Sequence, residues 1–285
     1  MSLSGKAALA GVIGWPISHS RSPRLHGFWL KAYGIDGAYL PLAVAPEKLE
    51  SAVLGLRDAG FRGLNVTIPH KEAVMALCDQ VDETARRIGA VNTLVFDGEA
   101  IHGSNSDAFG FIENLKEAVP SHDFTTAPGL LLGAGGAAKA VAVALLDAGL
   151  PELLICNRSP ERAERLAADL GTRAKPLAWA RRAEALAGVG LLVNSTSLGM
   201  TGHPPLDLVL DRLPAGALVT DLVYTPLETG LLAAARARGC VTVDGLGMLL
   251  HQARPGFQAW FGVAPAVTAA LRDFVLGDFV PGGDG

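Results

Sequence analysis

Disulfide chemistry has little to work with here: three cysteines, Cys78, Cys156 and Cys240, stand far apart in 285 residues. An odd, scattered set excludes a disulfide framework and a zinc ribbon, and a reducing cytoplasm is the simplest compartment for it. Each cysteine lies among apolar neighbours, as buried structural thiols do. No cluster of His, Cys and carboxylate has metal-ligand spacing, so no metal is expected. A dominant charge is also missing. The 24 Lys and Arg residues face 28 Asp and Glu, a formal net charge of −4, with no long run of one sign. That argues against a nucleic-acid partner. No apolar run reaches the roughly 20 residues needed to cross a bilayer, so no membrane partner is expected either. The opening M-S-L-S-G-K-A-A-L-A-G-V-I-G-W has one Lys, a short apolar stretch and no clear cleavage site. It reads as a first β-strand rather than a signal peptide. Aromatics are few, and Gly and Pro together fall short of a disordered composition. What remains is a globular chain, 49% hydrophobic and 18% charged, long enough for two domains.

Strand-like and helix-like segments alternate along almost all of it. Residues 8–14, 38–44 and 63–68 read as strands. Between them, 22–34 reads as a helix with Ser22 as cap and Pro23 at its first position, and 46–59 as a helix stopped by Gly60. The pattern predicts a further helix over 70–80. Residues 91–96 and 100–105 pair as a hairpin around Asp97-Gly98, a favoured two-residue turn. After a helix at 107–119 and a turn-rich stretch at 121–129, a second unit begins. Residues 129–149 run strand, glycine turn, long helix; 152–159 and 159–171 repeat strand and helix. Buried strands follow at 190–196, 217–224 and 240–245, and 246–276 is mostly helical. The alternation predicts an α/β protein whose first sheet mixes parallel and antiparallel pairing.

The glycine turn is G-A-G-G-A-A, residues 133–138. It follows an apolar strand and opens a helix, the context a dinucleotide fingerprint requires. Gly133 makes the tight turn, Gly135 lets backbone approach a pyrophosphate, and Ala138 lets helix and strand pack closely. Ala134, Gly136 and Ala137 complete the loop at the helix N-terminus, which faces the anion. NAD enzymes place an acidic residue at the end of the next strand for the ribose 2′-hydroxyl. Here that strand ends Asn157-Arg158-Ser159, with Arg162 one turn into the helix. Guanidinium forks suit a 2′-phosphate, so the cofactor read from these residues is NADP. The plainer alternative is a solvated helix start. Two later strand ends would also reach the cofactor: N-S-T-S-L-G-M, with Thr196, Ser197, Gly199 and Met200, and D-L-V-Y-T-P, with Leu222 and Tyr224. Thr196 and Ser197 are equally at home as turn formers.

Polar residues gather at other strand ends. G-W-P-I-S-H-S-R-S-P (14–23) carries Ser18 and Ser20, which share one side of an extended loop and suit a carboxylate or polyol. A Ser-rich turn with a helix cap explains the same stretch. Asn65, Thr67 and Lys71 lie at the end of the third strand, Asn92 in V-N-T, and Asp107 in N-S-D. Together they would make a polar pocket with one cation and one anion. A Lys in the first turn of a helix is unusual, since unpaired N–H groups already point outward there.

Nine motifs in order resemble the shikimate dehydrogenase family over nearly the whole chain. They are G-W-P-I-S-H-S-R-S-P, G-L-N-V-T-I-P-H-K, G-A-V-N-T, N-S-D-A-F-G, G-A-G-G-A-A, N-R-S-P-E-R-A, N-S-T-S-L-G-M, D-L-V-Y-T-P and, as one run, D-G-L-G-M-L-L-H-Q-A. The resemblance implies reversible, NADP-dependent reduction of 3-dehydroshikimate to shikimate, in chorismate and aromatic amino-acid biosynthesis. It implies an α/β catalytic domain with a mixed sheet, made of residues 1–106 and 240–285. A Rossmann-like NADP-binding domain of residues 107–239 would sit between, with a cleft at the junction and hinges near Asp107 and Gly239. Carried over by motif, Ser18 and Ser20 would bind the substrate carboxylate, and Asn65, Thr67, Asn92, Asp107 and Gln252 its hydroxyls. Lys71 and Asp107 would be the catalytic pair. Tyr224, Gly245 and Met248 would lie near carboxylate and nicotinamide. A cation at Lys71 would stabilise charge on the carbonyl oxygen and deliver its proton, and a helix N-terminus there would ease proton release.

Two positions depart from the family pattern: Gly27 stands where Asn is usual, and Ser106 where Thr is usual. Gly27 reads as a packing change, and Ser106 keeps the hydroxyl. The competing readings are a quinate or amino-shikimate dehydrogenase paralogue and a binding protein without turnover. Monomer and homodimer are both compatible with the sequence.

Overall fold

The computed structural model describes residues 3–277. They form two compact units, one built from the chain up to Ser106 together with the chain from Leu250 onward, the other from Asp107–Leu249.

The first unit holds strands β1 (Ala8–Gly14), β2 (Gly37–Ala43), β3 (Gly63–Val66), β4 (Gln80–Val81), β5 (Thr93–Asp97) and β6 (Ala100–Ser104). Helices α1 (Ser22–Ala32), α2 (Leu49–Asp58) and α3 (Glu83–Ile88) connect them. The sheet order is β2-β1-β3-β5-β6-β4. β1 pairs in parallel with β2 and β3, whereas β5 runs antiparallel to β3 and β6, so the sheet is mixed. β1 and β3 are central and almost wholly buried, which is why their sequences read as apolar runs rather than alternating ones. The hairpin turns through Gly98 and Glu99, with Asp97 opposite Ala100. Ile13, Val53, Leu64, Val74, Val91 and Leu94 meet in the core.

The second unit opens with α4 (Asp107–Ala118) and continues β7 (Gly129–Leu132), α5 (Gly136–Asp147), β8 (Leu153–Asn157), α6 (Pro160–Leu170) and β9 (Ala174–Ala178). Then come α7 (Arg182–Ala185), β10 (Leu191–Asn194), β11 (Leu218–Asp221), α8 (Gly230–Ala237) and β12 (Val241–Val243). The order β12-β11-β10-β7-β8-β9 is all parallel, and counted along the chain it is the doubly wound 3-2-1-4-5-6 arrangement read from its other edge. Its topological switch lies between β7 and β10, beside the glycine turn. Two further helices, α9 (Leu246–Phe261) and α10 (Ala269–Leu276), end the described chain. None of the described helices is long and apolar enough to cross a membrane.

Three expectations change. No α-helix spans 70–80: a turn closes from His70 N–H to the Thr67 carbonyl at 2.9 Å, and a 3₁₀ segment covers Ala73–Leu77. The Lys71 carbonyl, which a helix would need, accepts instead from Val91 N–H at 2.8 Å. The units divide within α9 rather than at 239/240, because β12 pairs with β11 and ties residues 240–249 to the second sheet. Gly239 is therefore the turn between α8 and β12, not a crossing point. Ser22 is the first helical residue of α1, behind Arg21 at the cap position, rather than the cap itself.

Candidate functional site

In the second unit, the predicted cofactor residues gather at the carboxyl ends of the parallel strands. Gly133 follows β7 with φ +112°, and a Cβ there would lie 2.4 Å from Ser195 Oγ. Only glycine fits. Ala134 leads into Gly135 and Gly136, where an added Cβ would meet nothing within 4 Å. Ala137 is exposed at the start of α5, while Ala138 is fully buried against the sheet. No side chain caps α5, and no carboxylate occupies its first turn. A helix start with neither a capping side chain nor a carboxylate is compatible with an anion there.

Asn157 ends β8, its amide donating to the Ser159 carbonyl at 2.9 Å. Arg158, Ser159 and Arg162 are exposed beyond it, and the one acidic residue nearby, Glu161, sits in the first turn of α6 rather than at the strand end. After β10, Thr196 Oγ1 donates to Asn194 Oδ1 at 2.7 Å and accepts from Leu198 N–H at 3.1 Å. The turn-forming role of Thr196 is therefore real. Ser197 is exposed; Gly199 has φ +90° and Met200 is partly exposed behind it. Leu222 and the half-buried Tyr224 follow β11. Gly245 packs so closely on Leu222 that a Cβ would come within 2.3 Å of the Leu222 carbonyl oxygen, and Met248 lies in the first turn of α9. Open backbone at Gly135 and Gly136 and the exposed guanidinium groups of Arg158 and Arg162 thus lie on one unit.

These loops are anchored by a group that the sequence reading missed. Asp221, at the end of β11, is completely buried. Its Oδ1 accepts from Asn194 Nδ2 at 2.9 Å and Val223 N–H at 3.0 Å, and its Oδ2 from Thr229 Oγ1 at 2.7 Å. Burial raises its pKa to about 6, against the opposing pull of those hydrogen bonds. One carboxylate thereby ties together the β10 loop, the β11 loop and the start of α8. The clue lay in D-L-V-Y-T-P: a carboxylate ending an apolar strand needs donors.

In the first unit, the ends of β1 and β3 are laced together. Thr67 N–H donates to the Ile13 carbonyl at 2.9 Å, and Trp15 N–H to the Ile68 carbonyl at 3.0 Å. Thr67 comes so close to Gly14 that a Cβ on Gly14 would lie 2.5 Å from its methyl carbon. Ser18 is exposed in the loop beyond β1, and Ser20 is half-buried, its Oγ accepting from Ser22 N–H at 3.4 Å. Asn65 and Asn92 are buried. Asn65 Nδ2 donates to the Asn92 carbonyl at 3.1 Å and to Thr93 Oγ1 at 3.3 Å. Asn92 Oδ1 accepts from Ser106 N–H at 2.9 Å, Ser106 Oγ at 3.1 Å and Thr93 Oγ1 at 2.9 Å. Three donors thus saturate the Asn92 side-chain oxygen. Lys71 is half-buried in the turn after β3, and Gln252 half-buried in α9. Asp107 is the first residue of α4 and belongs to the second unit.

Comparison with known proteins decides the family. Residues 12–94 match the shikimate dehydrogenase substrate binding domain, and residues 115–200 the shikimate / quinate 5-dehydrogenase family. The chain is 62% identical over 276 residues to shikimate dehydrogenase (NADP(+)) of Paramagnetospirillum magneticum, covering 96% of this chain and 100% of that protein. The chain belongs to the shikimate dehydrogenase family. Among solved structures of this family, it is similar to shikimate 5-dehydrogenase of Thermus thermophilus in complex with NADP(H) and shikimate. That similarity has TM-score 0.83 and 38% identity, over 96% of this chain and 100% of that one. It is also similar to quinate dehydrogenase of Corynebacterium glutamicum in complex with NAD, with TM-score 0.88 and 33% identity, over 95% and 99%.

Against the family pattern, Gly27 proves to be exposed, with nothing within 4 Å of an added Cβ. It is not a packing adaptation, as there is room for a larger residue. Ser106 retains the hydroxyl for a structural purpose, the bond to Asn92.

Proposed function

We propose that this protein is an NADP-dependent shikimate dehydrogenase that reduces 3-dehydroshikimate to shikimate, reversibly. The observation that carries the proposal is the 62% identity to a shikimate dehydrogenase (NADP(+)) along that protein's full length. The site chemistry agrees with it. The second unit would bind NADP: residues 133–137 with the N-terminus of α5 at the pyrophosphate, and Arg158 and Arg162 at the 2′-phosphate. Thr196, Ser197, Gly199, Met200, Leu222, Gly245 and Met248 would line the nicotinamide end. NADPH supplies the hydride.

The first unit would hold the substrate. Ser18 and Ser20, with Tyr224, would meet the carboxylate; Asn65, Thr67, Asn92, Asp107 and Gln252 would meet the hydroxyls. Lys71 would stabilise the negative charge growing on the carbonyl oxygen and hand over its proton. Asp107 would hold the ammonium in place and orient the substrate hydroxyl. The three cysteines are free, and burial pushes the Cys78 and Cys156 thiols up to about 11, so both are unreactive at neutral pH. That suits a cytoplasmic enzyme acting on a small molecule, as a monomer or homodimer.

Initial rates with shikimate and with quinate, each with NADP and with NAD, test the proposal. Fast turnover with shikimate and NADP alone is expected. Comparable kcat/KM with quinate or NAD would refute the specificity, and no turnover with any pair would refute the activity.

A further inference from the structure

The helix that begins with Asp107 is fastened to the turn at the proposed nicotinamide end by a side chain that the proposed reaction does not use. α4 starts at Asp107 and packs against α5, the helix that follows the glycine turn. Asn114 stands seven residues further on, about two turns and roughly 10 Å along the axis, on the same face of α4 as Asp107. It is buried, where a polar side chain needs a partner. Its Nδ2 donates to the Asp244 carbonyl at 2.8 Å. A carbonyl only accepts, so this bond settles the orientation of the amide. The rest of the amide lies on Gly247: an added Cβ there would come 2.5 Å from Asn114 Cγ and would overlap Oδ1.

The turn that Asn114 holds is Asp244-Gly245-Leu246-Gly247. Asp244 Oδ1 accepts from Leu246 N–H at 3.0 Å, at the start of α9. Gly245 lies against the Leu222 carbonyl and Gly247 against Asn114, and neither contact leaves room for a side chain. The turn is thus wedged between the β11 loop and α4. All of these residues, with Asp107 and Met248, belong to the second unit. An apolar side chain would fill the space at position 114. An amide adds a directional bond, which fixes the register of α4 against the turn.

We propose that Asn114 is a positioning residue for hydride transfer: it locks the helix bearing Asp107 to the 244–247 turn, so that the substrate-orienting carboxylate and the nicotinamide end keep one register. The inference rests on the assignment of Asp107 to the substrate and of Gly245 and Met248 to the nicotinamide end.

Asn114→Ala removes the lock and none of the assigned contacts. For 3-dehydroshikimate reduction, kcat should fall about 10- to 100-fold, the scale of a roughly 1 Å misplacement of reacting groups. KM for 3-dehydroshikimate and for NADPH should stay within about threefold. With NADPH deuterated at the transferred hydrogen, the isotope effect on kcat should be at least as large as in wild type, because transfer itself is the slowed step. Gly247→Ala, which pushes the amide off Asp244, should show the same pattern, and it decides the matter if Asn114→Ala does not fold. With both substitutions the overlap is gone, and kcat should be no lower than with Asn114→Ala alone. An unchanged kcat in a variant that is merely less stable, a loss confined to KM, or a smaller isotope effect would refute positioning and leave the activity standing. If Asp107→Asn leaves kcat unchanged, the Asp107 assignment is refuted, and the inference with it. Wild-type protein without turnover on 3-dehydroshikimate and NADPH would refute the activity itself.

Discussion

Asp221→Asn would reveal a titration inside the second unit. In the folded protein Asp221 releases its proton near pH 6, against 3.8 for an unperturbed carboxyl, because burial penalises the charge more than three donors reward it. The sign follows from linkage. Between these two values the folded state binds a proton that the unfolded state has released. The stability this contributes is complete below the unfolded value and is lost as pH rises through about 6. A gap of about two units corresponds to roughly 3 kcal/mol. The Asn variant has the same shape and no charge to bury. Its oxygen can still accept from Asn194 and Val223 N–H, while its NH₂ must face the Thr229 hydroxyl, which would have to reverse its role. Denaturant unfolding of both proteins at steps from about pH 4 to pH 7 measures the difference. The stability of the variant relative to wild type should rise by roughly 3 kcal/mol over that range, most steeply near the folded-state value. A difference that stays constant with pH would refute the reasoning. It would mean that the donors compensate for burial in full. Asp221→Leu separates charge from hydrogen bonding: it strands the Asn194 amide, the Val223 N–H and the Thr229 hydroxyl, and should destabilise at every pH by on the order of 3 kcal/mol or more.

Other consequences can be measured directly. Gly133→Ala forces an L-residue to φ +112° with its Cβ 2.4 Å from Ser195 Oγ. It should cost at least about 1–3 kcal/mol in denaturant unfolding and raise KM for NADP; an unchanged midpoint would contradict the clash. Replacing Arg158 and Arg162 together by Ala should raise KM for NADP by roughly 10- to 100-fold while leaving any residual rate with NAD almost unchanged. Equal losses with both cofactors would remove these residues from the 2′-phosphate. Lys71→Ala should lower kcat by about three orders of magnitude with less than about a tenfold rise in shikimate KM. A small change in kcat would end its catalytic role.

Much of the second unit was legible in the sequence because its function sits in backbone shape. A glycine that must adopt positive φ, a helix start without a carboxylate, and an apolar strand before them leave a mark on residue types at fixed spacing. The glycine turn at 133–138 and the strands on either side of it were therefore found. Several elements were not read. β4 is two residues long, β9 contains Pro176 at an edge, and α3 is six residues, all too short for a periodic signal. α8 escaped because its G-L-L-A-A-A-R-A sequence is apolar enough to pass for part of a buried strand region. The boundary inside α9 could not be read at all, since a continuous helix carries no compositional break between units.

The helix over 70–80 failed for a different reason, and the failure changes the account of Lys71. Local spacing there satisfies a helix, but long-range pairing takes the carbonyl a helix would use. Val91 N–H, just before β5, donates to the Lys71 oxygen at 2.8 Å, and His70 fixes its ring against the Val44 carbonyl at 2.7 Å. The backbone of Lys71 is thus held from two sides, by bonds to residues 20 and more positions away. A helix terminus would have pushed protons off the ammonium through its dipole. No helix terminus stands behind Lys71, so the turn acts on it by placing its backbone. Placement of Lys71 by the turn and tuning of its charge are separable by experiment. The pH dependence of kcat/KM in the variant His70→Ala would separate the two. Placement predicts a lower plateau with the same apparent ionisations, because removing the His70 anchor moves the backbone of its neighbour without altering the charges around the amine. A shifted ionisation with an unchanged plateau would show that the turn tunes Lys71 rather than positioning it.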